Sequence, residues 1–270
     1  MRIPTEAHKG YDHIIDQISR VLEVLTSETG VKPSRLGIGT PGTLEPSSQL
    51  MKNCNTTVLN GKPFLRDLEI ALGLPVLLAN DANCFAVAET HMGVVKAKAP
   101  DAQVVFGVIM GTGVGGGLVI NGQVLNGRQG IAGEWGHNFL DKSGGECYCG
   151  KRGCVETLIS GPGLERYYYQ TMGVKRRLPE IMERYREGAD EVAEKTVHRL
   201  IEFFGKAMAN VINIIDPDVI VLGGGLGNID LLYTDGVWEV EKHVFNDRLE
   251  TAFLKPMLGD SAGVFGAALL

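Results

Sequence analysis

Apolar residues recur at helical spacing over residues 11–29, where Ile14, Ile15, Ile18, Val21, Leu22 and Leu25 share one face and Gly30 follows as a stop. The pattern then shortens. Leu36-Gly-Ile-Gly predicts a buried strand ending at the Pro41-Gly42 turn, a helix is expected near 63–72, and Pro75-Val-Leu-Leu-Ala predicts another strand. Asn80-Asp81 opens an expected helix over 82–92 with Phe85, Val87 and Ala88 as its apolar members. Val104 to Met110 predicts a strand, followed by Gly111-Thr-Gly-Val-Gly-Gly-Gly and a second apolar strand, Leu118-Val-Ile. Asn121-Gly122 before Gln123-Val-Leu is a two-residue hairpin signal. Residues 161–215 read as helix apart from a turn at Gly173 and a break near Gly188. Asp218-Val-Ile-Val-Leu then predicts a buried strand running into Gly223-Gly-Gly, and a final helix is expected at 262–269. Strands alternating with helices predict an α/β layered fold.

Composition narrows the function classes. A chain of 270 residues with 44% hydrophobic content can bury a sizeable core in one large or two modest domains. Its net charge of −6 argues against a nucleic-acid or anionic-membrane surface, and Lys175-Arg176-Arg177, the one basic cluster, reads as a solvated face. No segment is apolar for long enough to span a bilayer and no secretory h-region is present, so a cytoplasmic location is expected. Cys54 and Cys84 stand alone in apolar settings and read as buried thiols, which a reducing compartment suits.

The densest chemical signal lies at Gly-Glu-Trp-Gly-His (133–137) and Cys-Tyr-Cys-Gly-Lys-Arg-Gly-Cys-Val-Glu (147–156). His137, Cys147, Cys149 and Cys154 form a Cys₃His set, which suits a closed tetrahedral zinc site of structural type; the alternative is a chance crowding or a disulfide. Glu134 and Glu156 stand beside these ligands, where a pinned loop could hold them rigid for hydrogen bonding to vicinal hydroxyls. Three glycine-rich turns, at 39–42, 111–117 and 223–225, follow apolar strands, as in facing α/β domains that bring phosphates or sugars to the backbone. The run 111–117 lacks the Lys-Ser/Thr ending of a P-loop. It reads either as a tight hairpin connection or as an anion nest for polyphosphate, with the Thr112 hydroxyl as an extra donor. Asp81, at a strand end and a helix start, reads either as an N-cap or as a general base for a hydroxyl attacking phosphorus.

Together these segments resemble the ROK sugar kinases and repressors. The resemblance runs through most of the chain: Leu36-Gly-Ile-Gly-Thr-Pro-Gly, Asn80-Asp81-Ala-Asn, Gly111-Thr-Gly-Val-Gly-Gly-Gly, Gly133-Glu-Trp-Gly-His, the cysteine run and Asp216-Pro-Asp-Val-Ile-Val-Leu-Gly-Gly-Gly. It implies a two-domain actin/hexokinase-like (ribonuclease H-like) fold with an interdomain cleft, an N-terminal domain over 1–106 and a C-terminal domain over 107–270 carrying the zinc loop. It implies ATP-dependent phosphorylation of a hexose at the 6-hydroxyl, with ATP, Mg²⁺ and a structural Zn²⁺. Asp81 is then the catalytic base, Asn80, Glu134, His137 and Glu156 hold the sugar, and Gly42 and Asn55 form the opposite wall. Gly111, Thr112, Gly113 and Gly115 meet the ATP phosphates, and Gly224 and Gly225 lie against the adenosine. A homodimer is implied as well.

The substrate segments look closest to fructokinases and mannokinases, with N-acetylglucosamine kinases next. A non-catalytic sugar-binding or regulatory homologue is the other reading; the family's repressors carry an N-terminal helix-turn-helix and a basic DNA face, for which neither room before residue 11 nor charge is found here. The family's Asp-x-Gly-Gly-Thr turn occurs nowhere in the chain, and Met1-Arg-Ile-Pro-Thr resembles family sequence further in. The expectation is therefore an incomplete chain rather than a shortened homologue, lacking the first hairpin of its N-terminal sheet, with weak or no kinase activity as written.

Overall fold

Two principal sheets, joined by helices, and a separate two-stranded β2-β3 hairpin frame the computed structural model, which describes residues 1–270. The strands are β1 (Leu36–Thr40), β2 (Thr43–Leu44), β3 (Met51–Lys52), β4 (Val76–Asn80), β5 (Val104–Met110), β6 (Val114–Ile120), β7 (Gln123–Val124), β8 (Val219–Gly223) and β9 (Ala252–Leu254). The helices are α1 (Tyr11–Thr29), α2 (Phe64–Leu72), α3 (Asp81–His91), α4 (Val94–Lys98), α5 (Val155–Ile159), α6 (Gly161–Met172), α7 (Leu178–Glu187), α8 (Glu191–Ile215), α9 (Asp235–Glu241) and α10 (Ala262–Ala268).

In the first sheet β1 and β4 run parallel from Leu36 opposite Val76 to Thr40 opposite Asn80. The apolar stripe of α1 packs with α2 and this sheet in a small core of Ile14, Phe64, Leu68 and Val76. The second sheet has the order β7-β6-β5-β8-β9, with β5, β8 and β9 parallel and the β5-β6-β7 meander antiparallel. Both of its faces are covered. Phe106, Val108, Ile220 and Leu222 meet Leu200, Phe204 and Met208 of α8, and Val105, Val119, Val219 and Val221 meet Phe85, Ala86 and Val87 of α3. That is why β8 is buried along its whole length and reads as an unbroken apolar run. No helix is long and apolar enough to cross a membrane.

Three expectations change. Leu36-Gly-Ile-Gly forms the expected strand, but it is half-buried rather than buried and Gly39 is exposed, because β4 is its single strand neighbour. The glycines at 115–117 belong to β6 rather than to a loop, and the turn shrinks to 111–113. Gly116 and Gly117 are needed for close packing: a Cβ on Gly117 would stand 2.4 Å from the Ala82 carbonyl oxygen, and one on Gly116 would stand 2.7 Å from the Trp135 ring. The second sheet begins at Val104, so position 106 lies inside its strand, and α3 and α4 occupy the interval between the sheets. The Asn121-Gly122 hairpin turn is present, with φ of 51° and 76°. The β2-β3 hairpin, β9, α4 and α9 were not anticipated.

The helix at the far end of the sequence crosses back to the first sheet. A Cβ on Gly37 would stand 1.8 Å from the Ala267 carbonyl oxygen, and one on Gly266 would stand 1.8 Å from that of Cys84, so α10 lies directly on β1 and α3. Glu89, fully buried near the end of α3, accepts hydrogen bonds from the amides of Val94, Met257 and Leu258 and so ties the same helix to the segment leading into α10.

Candidate active site

Asn80 ends β4 and caps α3: its side-chain oxygen accepts from the Ala82 amide at 2.9 Å, and its amide nitrogen donates to the Gly42 carbonyl at 3.4 Å. The N-cap is thus Asn80, not Asp81. Asp81 occupies the first helical position, where its carboxylate also accepts from the Ala82 amide at 2.8 Å and is otherwise free to face the cleft. Asp81 is exposed to solvent, and it borders the cavities on either side of β1 as well as the cleft; the protein packed around it still raises its pKa above the ordinary carboxylate range. A raised pKa makes it a better proton acceptor. Gly42 (φ 95°) is packed so closely that a Cβ would stand 2.5 Å from the Lys52 carbonyl oxygen.

The 111–113 turn connects β5 to β6, so it is a hairpin connection. It is also a donor site, because the amides of Thr112 and Gly113 and the Thr112 hydroxyl take no partner within the chain. Three such donors on one turn suit the oxygens of a polyphosphate. The two flanking amides are engaged: Gly111 donates to the Gly113 carbonyl at 2.9 Å, and Val114 donates to a Glu156 carboxylate oxygen at 3.0 Å. Gly224 (φ 77°) and Gly225 lie behind this turn, the Gly225 nitrogen 4.0 Å from where a Cβ on Gly111 would be; they do not line the cleft.

The segment from Gly133 to Cys154 holds little regular structure. Trp135 Nε1 donates to the Gly115 carbonyl at 3.0 Å, and isolated bridges pair Phe139 with Cys154 and Glu146 with Arg152. One ligand atom each from His137, Cys147, Cys149 and Cys154 lies within 4.8 Å of the others. The Cys147 Sγ to His137 Nδ1 distance is 3.5 Å and the Cys149 Sγ to Cys154 Sγ distance is 3.6 Å. The sulfur pair is far beyond a disulfide's ~2.05 Å. Zn–S and Zn–N bonds of about 2.3 and 2.0 Å give tetrahedral edges of roughly 3.5–3.8 Å, so the cage fits zinc. Burial pushes the Cys147 and Cys154 thiols up, and a bound cation would reverse that by deprotonating them. His137 Nδ1 is turned to the cage and Nε2 lies 3.0 Å from the Tyr148 oxygen; a metal bound at Nδ1 would fix the proton on Nε2 as a donor to that oxygen.

One cleft of about 180 Å³ collects the candidates. Gly42, Asn55, Asn80 and Asp81 line one wall, Glu134, His137 and Glu156 the other, and Gly111, Thr112, Gly113 and Gly115 the floor. Burial raises Glu134, with the nearby Asp81 and Glu156 carboxylates adding to the rise. Glu156 does more than face the cleft: through Val114 it joins the metal loop to the glycine turn. Asn53 and Tyr148 also line the cleft and were missed. Tyr148 was readable as the aromatic between two metal ligands, and Asn53 as the first residue of the 53–60 loop, whose side chains decide whether an N-acetyl group fits.

Comparison with known proteins agrees with this geometry. The chain is 36% identical over 279 aligned positions to N-acetyl-D-glucosamine kinase of Vibrio atlanticus, covering 100% of this chain and 90% of that protein. A ROK hexokinase from Thermus thermophilus superimposes with a TM-score of 0.86 at 31% identity, over 100% of this chain and 88% of the other. A ROK family glucokinase from Streptomyces griseus, solved with glucose and AMPPNP, gives 0.77 at 26% identity over 96% and 87%. The expected actin/hexokinase-like α/β fold is therefore the fold observed. The ROK family model matches residues 1–270, and the chain belongs to that family.

Proposed function

We propose that this protein is an ATP-dependent kinase of N-acetyl-D-glucosamine, transferring the γ-phosphoryl group to the 6-hydroxyl. The observation that carries the reading is the meeting, in one small cleft, of an Asp81 carboxylate of raised pKa and a glycine turn with three unpartnered donors. Phosphoryl transfer needs alignment, charge stabilisation and a base at the nucleophile, and these two features supply them from opposite sides. Asp81 takes the hydroxyl proton as the oxygen attacks phosphorus. Thr112 and Gly113 hold the phosphate oxygens, while ATP with Mg²⁺ supplies the transferred group and neutralises its charge. Asn80, Glu134 and His137 orient the ring hydroxyls, with Gly42, Asn55 and Glu156 completing the walls.

Zinc in the Cys₃His cage has no open position for substrate water, so its part is to fix His137 and, through Cys154 and Glu156, the glycine turn. The choice of sugar follows the name of the relative from Vibrio atlanticus, which puts N-acetylglucosamine ahead of the fructose and mannose first expected. A cytoplasmic location, where three thiols stay reduced for zinc, and a homodimer belong to the same reading.

Calorimetric titration with N-acetylglucosamine, glucose, mannose and fructose, paired with sugar-dependent ADP release, tests it. N-acetylglucosamine is expected to bind at least about tenfold more tightly than the others and to drive whatever ADP release a chain without the Asp-x-Gly-Gly-Thr turn sustains. Binding led by another hexose would overturn the substrate, and neither binding nor ADP release with any sugar would overturn the kinase.

A further inference from the structure

Beyond Glu134 and His137 the cleft opens into a second chamber. It measures about 790 Å³ against about 180 Å³ for the cleft, and Asn53, Glu134, His137 and Tyr148 wall both spaces, so the two adjoin across these side chains. Neither Asp81 nor any residue of the 111–113 turn borders the chamber, which places it at the end of the site remote from phosphoryl transfer. Its far side is apolar, formed by Ile131 and by Val211, Ile214 and Ile215 from the last turn and a half of α8. Ile131 is 41% exposed and Ile214 79% exposed, so this apolar surface is not consumed by the core. Tyr148 stands at the passage, its ring edge-on to His137 with centroids 5.1 Å apart.

We propose that this chamber is a subsite for an apolar substituent on the sugar, and that the protein acts on glucosamines whose 2-acyl chain is longer than acetyl. The inference rests on the kinase reading. With the 6-hydroxyl at Asp81, the opposite end of the ring meets Glu134 and His137, and a group on carbon 2 has the chamber in front of it. The chamber falls within the roughly 300–1,000 Å³ of ordinary small-molecule pockets, and is more than four times the cleft by the same measure. Lengthening the chain replaces water against Ile131, Val211 and Ile214 with hydrocarbon, which offsets the cost of ordering it.

The test is an acyl series, N-acetyl-, N-propanoyl-, N-butanoyl- and N-pentanoyl-glucosamine, read as kcat/KM and as calorimetric Kd. Both are expected to stay within about tenfold of the acetyl compound through pentanoyl. Ile214→Glu, a change at an exposed position outside the cleft, is expected to weaken pentanoyl by at least about tenfold and leave acetyl unchanged. A fall of about a hundredfold at the first added methylene, with acetyl still bound and turned over, overturns the subsite alone. An equal response of acetyl and pentanoyl to Ile214→Glu also overturns it. No response to N-acetylglucosamine itself overturns the kinase reading and the subsite with it.

Discussion

The two walls of the cleft are built in opposite ways. The Asp81 wall sits at the ends of β1 and β4, where ladder hydrogen bonds fix Thr40 opposite Asn80 and a cap fixes the start of α3. The Glu134–His137 wall rests on a segment with two isolated bridges and a few short turns, drawn together by four side chains that converge within 4.8 Å. A backbone ladder holds one wall; a cage of side chains holds the other. On the proposed reading, the base and Asn80 thus keep their positions whether or not metal is bound, whereas Glu134 and His137 depend on it.

Stripping the metal with a chelator should separate the walls most strongly. Amides over 137–156 are expected to lose hydrogen-exchange protection and sugar binding to fall below detection, while β4 and α3 keep their protection. Equal loss on both walls would mean that the metal supports the whole fold rather than one side. Next in size is Asp81→Asn, which keeps the shape of the ordered wall and removes its base. ADP release should fall about 10²–10⁴-fold with sugar affinity changed less than about threefold; a fall under tenfold would remove Asp81 from the base role.

The same residue sets a pH dependence. A base must be ionised, so turnover should drop as pH falls through its pKa, and because that pKa is raised the drop should begin above the ordinary Asp range near about 3.9. Glu156→Ala cuts the join between the metal loop and the Val114 amide and should cost about 1–3 kcal/mol, seen as a lower denaturation midpoint together with a higher KM for ATP. The smallest effect on stability is expected from Asn80→Ala, which removes a cap worth about 1 kcal/mol and should move the urea midpoint without changing the slope, alongside a weaker hold on the sugar.

Legibility in the sequence followed the range of the interactions. The Cys₃His set, the Asn80-Asp81 helix start and the Asn121-Gly122 turn are local patterns, and each lies where its spacing put it. The long helices were equally plain, because α1 and α8 carry apolar residues at a period that nothing else produces. Glycine was ambiguous. Gly115, Gly116 and Gly117 looked like loop, yet they are strand residues; Gly116 and Gly117 are bare of side chain because Trp135 and α3 lie against them, and close approach leaves no mark in a one-dimensional pattern. Strands of two or three residues such as β2, β3 and β9 are too short to show alternation. The Glu156 contact with Val114 and the chamber beside Tyr148 depend on which loops meet, which only the fold decides.

The crossing of α10 over β1 bears on how the chain is made. Gly37 cannot meet the Ala267 carbonyl until synthesis has passed residue 267, so the β1–α3 corner that presents Asp81 waits for one of the latest segments to emerge. Until then its apolar surface stands open beside a ribosome-bound chain, a state in which nascent proteins depend on chaperone cover. Contacts so distant in sequence also close slowly. The catalytic corner is therefore expected to close only once α10 has emerged, well after β1 and α3 themselves.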